Sequence, residues 1–183
     1  RVILREDARA NSTNSAETDH LAEPWAVPLQ EARLSSFLAA LPDGSSDSDD
    51  TSLAQQVFLS GQISDVQARL NIANLRDGER LDSKSVAAFT RLFDALNLPP
   101  EQLEALTRGL DASQRKNAAA TTALMPQRVS QLTWLGLTPE SVRKLSAHVT
   151  VLPVRTPVNV NTASAEVLYA SVSGLSLAKA QGL

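Results

Sequence analysis

The chain has 183 residues, 43% of them hydrophobic, enough for one ordinary domain or two small ones with a sizeable core. A formal charge of −3 argues against a protein that grips phosphate backbones through many Lys and Arg contacts. The absence of cysteine excludes a disulfide framework, thiolate catalysis and sulfur-based zinc sites.

Residues 1–10 alternate apolar and charged side chains without Gly or Pro, which predicts the tail of a helix stopped by Asn11-Ser-Thr-Asn-Ser15. No initiator methionine, signal-peptide layout or run of eighteen apolar residues is present. The chain therefore reads as a soluble piece of a longer protein with a membrane-embedded portion upstream. Leu21-Ala-Glu-Pro-Trp-Ala-Val-Pro-Leu29 is a connector, because its prolines lack backbone donors and push their predecessors toward extended conformations. Trp25, between the two prolines, is expected to anchor this loop on the core. Leu34-Ser-Ser-Phe-Leu-Ala-Ala-Leu41 is a short apolar stretch, and Pro42-Asp-Gly-Ser-Ser-Asp-Ser-Asp-Asp-Thr51 has a flexible loop's composition. Residues 56–65 and 66–75 fit two strands, the second alternating Val66, Ala68, Leu70 and Ile72 with Gln67, Arg69 and Asn71. Paired ribbons around Ile63 and Ile72, each with one buried face, are the expected platform.

From Leu81 the period changes. Val86, Phe89, Leu92, Phe93 and Leu96 fall at spacings of three and four, with Asp82 or Ser83 as N-cap, which predicts a helix whose Phe89 and Phe93 lie in the core. A second helix starts at Pro99-Pro-Glu-Gln-Leu-Glu-Ala-Leu106, where proline in the first turn sacrifices no needed amide. Residues 127–135 make a third, and Thr138-Pro-Glu-Ser-Val-Arg-Lys-Leu145 a fourth, with Thr138 as N-cap and Pro139 at the first helical position. Strand character returns at 149–153. Two short helices then flank Ser173-Gly174.

Four stretches stand out: Asp19-His-Leu-Ala-Glu-Pro-Trp-Ala26, Gly61-Gln-Ile-Ser-Asp-Val-Gln-Ala-Arg-Leu-Asn-Ile-Ala-Asn-Leu75, Leu145-Ser-Ala-His-Val-Thr-Val-Leu-Pro153, and Val158-Asn-Val-Asn-Thr-Ala163 with Glu166-Val-Leu168. In that order they resemble the K-type minor pseudopilins of the bacterial type II secretion system, also called general secretion pathway protein K. The resemblance implies an α+β, pilin-like fold: a helix packed on a small antiparallel sheet, with a large inserted helical domain of SAM-like or helix-hairpin-helix-like type. Residues 1–80 would be the first part of the pilin-like domain, 81–148 the inserted helical domain, and 149–183 the return strand and a second short helical segment. Two departures stand out. The family's acidic, tyrosine-containing segment has no counterpart where Gly109-Leu-Asp111 runs into Asn117-Ala-Ala-Ala-Thr-Thr-Ala123, and the family continues past the position of Leu183 to a closing strand.

Asp43, Asp47, Asp49 and Asp50 form a carboxylate cluster that can ligate calcium, a hard cation preferring oxygen, although the spacing is not that of a helix-loop-helix calcium loop. Such Ser/Asp/Gly tracts are more commonly solvated linkers. The resemblance also implies calcium in the helical domain, but its ligands cannot be matched here. Asn159-Val-Asn-Thr-Ala-Ser-Ala-Glu-Val-Leu168 followed by Ser173-Gly-Leu-Ser176 looks like the start of a helix-hairpin-helix module, which elsewhere cradles DNA phosphate on backbone amides. With only Lys179 near the turn, a structural role fits better, and Asn159 and Asn161 are expected to cap strand and helix ends. His20 and His148 have no carboxylate or serine at a spacing that suggests a relay or metal pair, and no Gly-x-Ser-x-Gly elbow or phosphate-binding loop is present.

The expectation is a non-enzymatic subunit: the periplasmic domain of an inner-membrane-anchored pseudopilin at the pseudopilus tip. As the resemblance implies, it would join the I-type and J-type minor pseudopilins to initiate or cap filament assembly for protein export, touching secreted cargo or the outer-membrane secretin. The apolar residues of the helix tail, Val2, Ile3, Leu4 and Ala8, are the expected partner contact. A helix-hairpin-helix nucleic-acid module is the alternative reading, and a cargo receptor working apart from any filament is a third.

Overall fold

A computed structural model describes residues 4–5, 7–9, 19–33, 57–113 and 124–183. The chain divides into two compact units, Arg1–Ser64 and Asp65–Leu183. This break lies ahead of the boundary expected at 80/81, and residues on both sides of 148/149 share one core.

In the first unit, Leu4, Arg5 and residues 7–9 are helical. Strand β1 (Leu29–Arg33) pairs antiparallel with β2 (Phe58–Gly61), Ala32 facing Leu59 and Arg33 facing Phe58, with an irregularity between Leu29 and Ala32. All four β2 residues are exposed. Pro24–Ala26 forms one 3-10 turn, with proline where its fixed φ suits the start. Trp25 is only 5% exposed, and its Nε1 donates to Glu23 Oε2 at 2.6 Å. The same oxygen accepts the His20 amide at 2.9 Å. Trp25 is therefore buried, but within the first unit and outside the main core cluster, not on the core as the sequence suggests.

The second unit departs from the strand expected over 66–75. The segment holds a 3-10 turn at Val66–Ala68, the two-residue strand β3 (Leu70–Asn71) and a second 3-10 turn at Ile72–Leu75. The reason is local: Asp65 Oδ1 accepts the Gln67 amide at 2.7 Å, and Asn71 Oδ1 accepts the Ala73 amide at 3.1 Å. Side-chain acceptors two residues back compete with a sheet ladder and bend the chain at both places. The segments around Ile63 and Ile72 are consequently not paired as a platform. Instead β2 joins β1, while β3 pairs in parallel with a strand some eighty residues later.

A tight hairpin follows, β4 (Arg76–Asp77) against β5 (Arg80–Leu81), turning at Gly78 with φ of +61°. Helix α1 (Ser83–Ala95) begins where Asp82 Oδ2 accepts the Ser85 amide at 2.8 Å. Its inner face buries Phe89, Leu92 and Phe93, as the spacing predicts. Helix α2 (Pro100–Ser113) buries Leu103, Leu106 and Leu110. Residues Val129–Leu135 form a 3-10 helix ending at Gly136, whose φ is +96° and where an added Cβ would sit 3.0 Å from Ala105 Cβ. Helix α3 (Pro139–Leu145) starts with Pro139 behind the Thr138 cap. Strand β6 (Val149–Thr150) then sets Val149 beside Leu70 and Thr150 beside Asn71. Helices α4 (Ala165–Ser171) and α5 (Leu177–Ala180) close the described chain, α4 packing against α1.

Candidate docking surface

The second unit is tied together by side-chain amides. Asn71, 1% exposed, donates from Nδ2 to the Val154 carbonyl at 2.7 Å and accepts the Leu152 amide on Oδ1 at 3.0 Å. Asn74, three residues further on, repeats the grip, donating to the Thr156 carbonyl at 2.7 Å and accepting the Thr156 amide at 2.9 Å. Each carboxamide thus offers one donor and one acceptor to passing backbone, which is what a neighbouring strand would offer. Asp65 fastens the far end: its Oδ2 accepts from Asn159 Nδ2 at 3.0 Å and from Thr162 Oγ1 at 2.7 Å. Asn159 also caps a turn, Oδ1 accepting the Asn161 amide at 3.1 Å. Residues 65–74 and 152–162 are therefore two halves of one clasp, with Val154 and Val160 left exposed on the strap between β6 and α4.

The turn between α4 and α5, where the sequence resembles a helix-hairpin-helix module, is held by a side chain of the protein itself. Gly174 has φ of +81°, and the flanking carbonyls of Val172 and Leu175 accept Arg91 Nη2 at 2.7 and 3.1 Å. The Arg91 guanidinium also lies over the Tyr169 ring, 4.6 Å from its centre. A basic side chain that DNA would need is here committed to the protein's own backbone.

One cluster is not visible in the sequence. His148 Nδ1 lies 3.2 Å from Ser164 Oγ and 4.0 Å from Glu166 Oε2. Burial pushes the His148 imidazole below its ordinary value, against the pull of Glu166, and Arg69 pushes the same way as burial. Glu166 is held below the usual carboxylate range by its own amide, with Ser164 and His148 contributing, against partial burial. Sixteen and eighteen residues separate these groups from His148 along the chain, and no spacing rule connects them. In a nucleophilic triad the imidazole stands between serine and carboxylate. Here Ser164 Oγ and Glu166 Oε2 both approach the same ring nitrogen, Nδ1, from the start of one helix, so the trio joins two elements rather than forming a serine-imidazole-carboxylate line.

A groove of about 560 Å³ is lined by Ile72, Leu110, Met125 and Leu152 together with Arg76 and Arg155. Both guanidiniums are engaged, Arg76 with Asp111, and Arg155 with Asp77 at 3.0 Å and Asp82 at 3.8 Å. Among the described residues no group of three or more His, Cys, Asp or Glu side chains can hold a metal. Asp43, Asp47, Asp49 and Asp50 lie outside the described residues, as do Val2 and Ile3. Leu4 is 51% exposed and Ala8 is exposed on the helical segment. At a spacing of four they share one face of the helix. Beside them Asp7 is held above the usual carboxylate range by loss of hydration and then by the negative charges of Glu23 and Asp19. Among the described residues no helix is long and apolar enough to cross a membrane.

Residues 68–154 match a family model described as "Type II secretion system (T2SS), protein K", and residues 158–183 match a second with the same description. Type II secretion system protein K of Pseudomonas aeruginosa strain PAO1 is 30% identical over 189 aligned positions, covering 92% of this chain and 51% of that protein. The chain thus spans about half the length of that curated relative. In fold it resembles a chain in the crystal structure of the GspK-GspI-GspJ complex from enterotoxigenic Escherichia coli, with a TM-score of 0.56 at 17% identity. That likeness covers 92% of this chain and 64% of the other. The α+β architecture and the two family matches, which together take in more than half the chain, define a component of the type II secretion apparatus. Within that apparatus the chain belongs to the protein K family.

Proposed function

We propose that this chain is the periplasmic part of a K-type minor pseudopilin. It works without turnover, joining I-type and J-type minor pseudopilins at the pseudopilus tip to start or cap the filament used for protein export. The observation that carries this is the uncovered apolar face of the N-terminal helical segment, Leu4 at 51% exposure with Ala8 one turn on. Val2 and Ile3 extend the same apolar run in sequence. Aliphatic side chains presented along a helix suit packing against another helix, and the Escherichia coli protein of similar fold was crystallised in complex with GspI and GspJ. The second unit, Asp65–Leu183, adds bulk to the subunit, a steric reason for it to end a filament.

Replacing Leu4 with Asp puts a charge where packing requires desolvation. Co-elution of the variant with I-type and J-type partners should fall at least about tenfold, the factor that a loss of ~1.4 kcal/mol gives. A complex of unchanged yield and stoichiometry would remove this face from the interface.

A further inference from the structure

We propose that His148, Ser164 and Glu166 form a proton-operated joint: with the imidazole neutral, the turn that leads from α3 into β6 stays tied to β3 and to the start of α4, and protonation loosens that seam. The geometry places one residue at a crossing of three elements. The His148 amide donates to the Leu145 carbonyl at the end of α3 at 2.8 Å, and its carbonyl accepts the Leu70 amide of β3 at 2.9 Å. Its ring reaches Ser164 Oγ at the start of α4. The His148 side chain is 15% exposed, so a charge gained there loses part of its hydration.

Two charged groups face the ring. Glu166, on α4 at 4.0 Å, favours the imidazolium. Arg69, immediately before β3, opposes it and acts together with burial. Burial is the largest influence, so the folded protein holds the proton less tightly than the unfolded chain does. By linkage, His148 contributes stability that is complete above the unfolded value near 6.5 and is lost as pH falls through the lower folded value. Glu166, held below the ordinary carboxylate range, stays ionised through that window and does not mask the transition.

The chain contains only two histidines, which makes the test clean. In a His20→Gln background, the single remaining imidazole is followed by NMR across the pH range. A midpoint below about 6.5 is expected, and a midpoint at or above that value would overturn the joint. Melting of the same protein is compared at about pH 7.5 and about pH 5.5, where histidine is the ordinary side chain that titrates. The loss of Tm on acidification should at least halve when His148→Gln is added. An equal loss with and without His148 would overturn the proposal, and the NMR midpoint decides it should that variant not fold.

Discussion

The two units handle short strands in opposite ways. In the first, β1 and β2 make a ribbon whose β2 residues are all exposed. In the second, no described strand exceeds two residues, yet the segment after β6 is held as firmly as sheet because Asn71 and Asn74 supply the donors and acceptors of a missing neighbour. A two-stranded ribbon is marginal by itself in water. A two-residue ladder extended by the carboxamides of Asn71 and Asn74 and resting on a helical core is not. Strand length is thus a poor guide to where stability lies in this chain.

The contrast is sharpest if the second unit's core is breached. Phe93 is 2% exposed in the central cluster with Leu92, Leu106 and Leu132. Phe93→Ala should cost about 3–5 kcal/mol, read as a fall in the urea midpoint. A cost below roughly 1 kcal/mol would mean that the site collapses freely and that the core is not the main source of stability.

Next come the two asparagines. Asn71→Ala leaves the Val154 carbonyl and the Leu152 and Ala73 amides without that partner, at a cost of roughly 2–3 kcal/mol. Asn74 is less buried and grips only Thr156, so Asn74→Ala should cost roughly 1–2 kcal/mol. Asn71→Asp sharpens the point, because a carboxylate can still accept the two amides but turns an oxygen toward the Val154 carbonyl. Equal costs at the two positions would contradict the burial difference between them.

What could be read from the sequence follows the range of each interaction. The cap at Thr138, and the one at either Asp82 or Ser83, were legible because a cap binds an amide three residues on; Thr138 takes that of Ser141, and the structure selects Asp82, which takes that of Ser85. The core face of α1 was legible from its period. The strand expected at 66–75 fails because alternation takes no account of the side chains that bend the backbone, Asp65 and Asn71, each acting on an amide two residues away. That signal is present in the sequence and can be read as a pair of Asx turns. The clasp itself was not legible: Asn71 and Val154 are 83 residues apart, and only the fold makes them partners. The trio around His148 is hidden for the same reason. Val2, Ile3, Leu4 and Ala8 could be named as a candidate contact because the family resemblance places a helical stem there.

The smallest expected effect tests the first unit's side of the contrast. Phe58 is 54% exposed and Leu59 beside it 40%, so Phe58 keeps more than half of its contact with water. Phe58→Ser should therefore shift the urea midpoint of the chain alone by no more than about 0.5 kcal/mol equivalent, the usual range for surface positions. The same substitution would be severe if that aromatic were part of a packed core, where losing its area costs several times more. Near-neutrality of Phe58→Ser beside a large loss for Phe93→Ala would establish that the ribbon's aromatic is presented outward while its counterpart in α1 holds the second unit together. A loss above roughly 2 kcal/mol at Phe58 would instead show that β2 has a covered face, and the opposition between an open ribbon and a clasped body would fall.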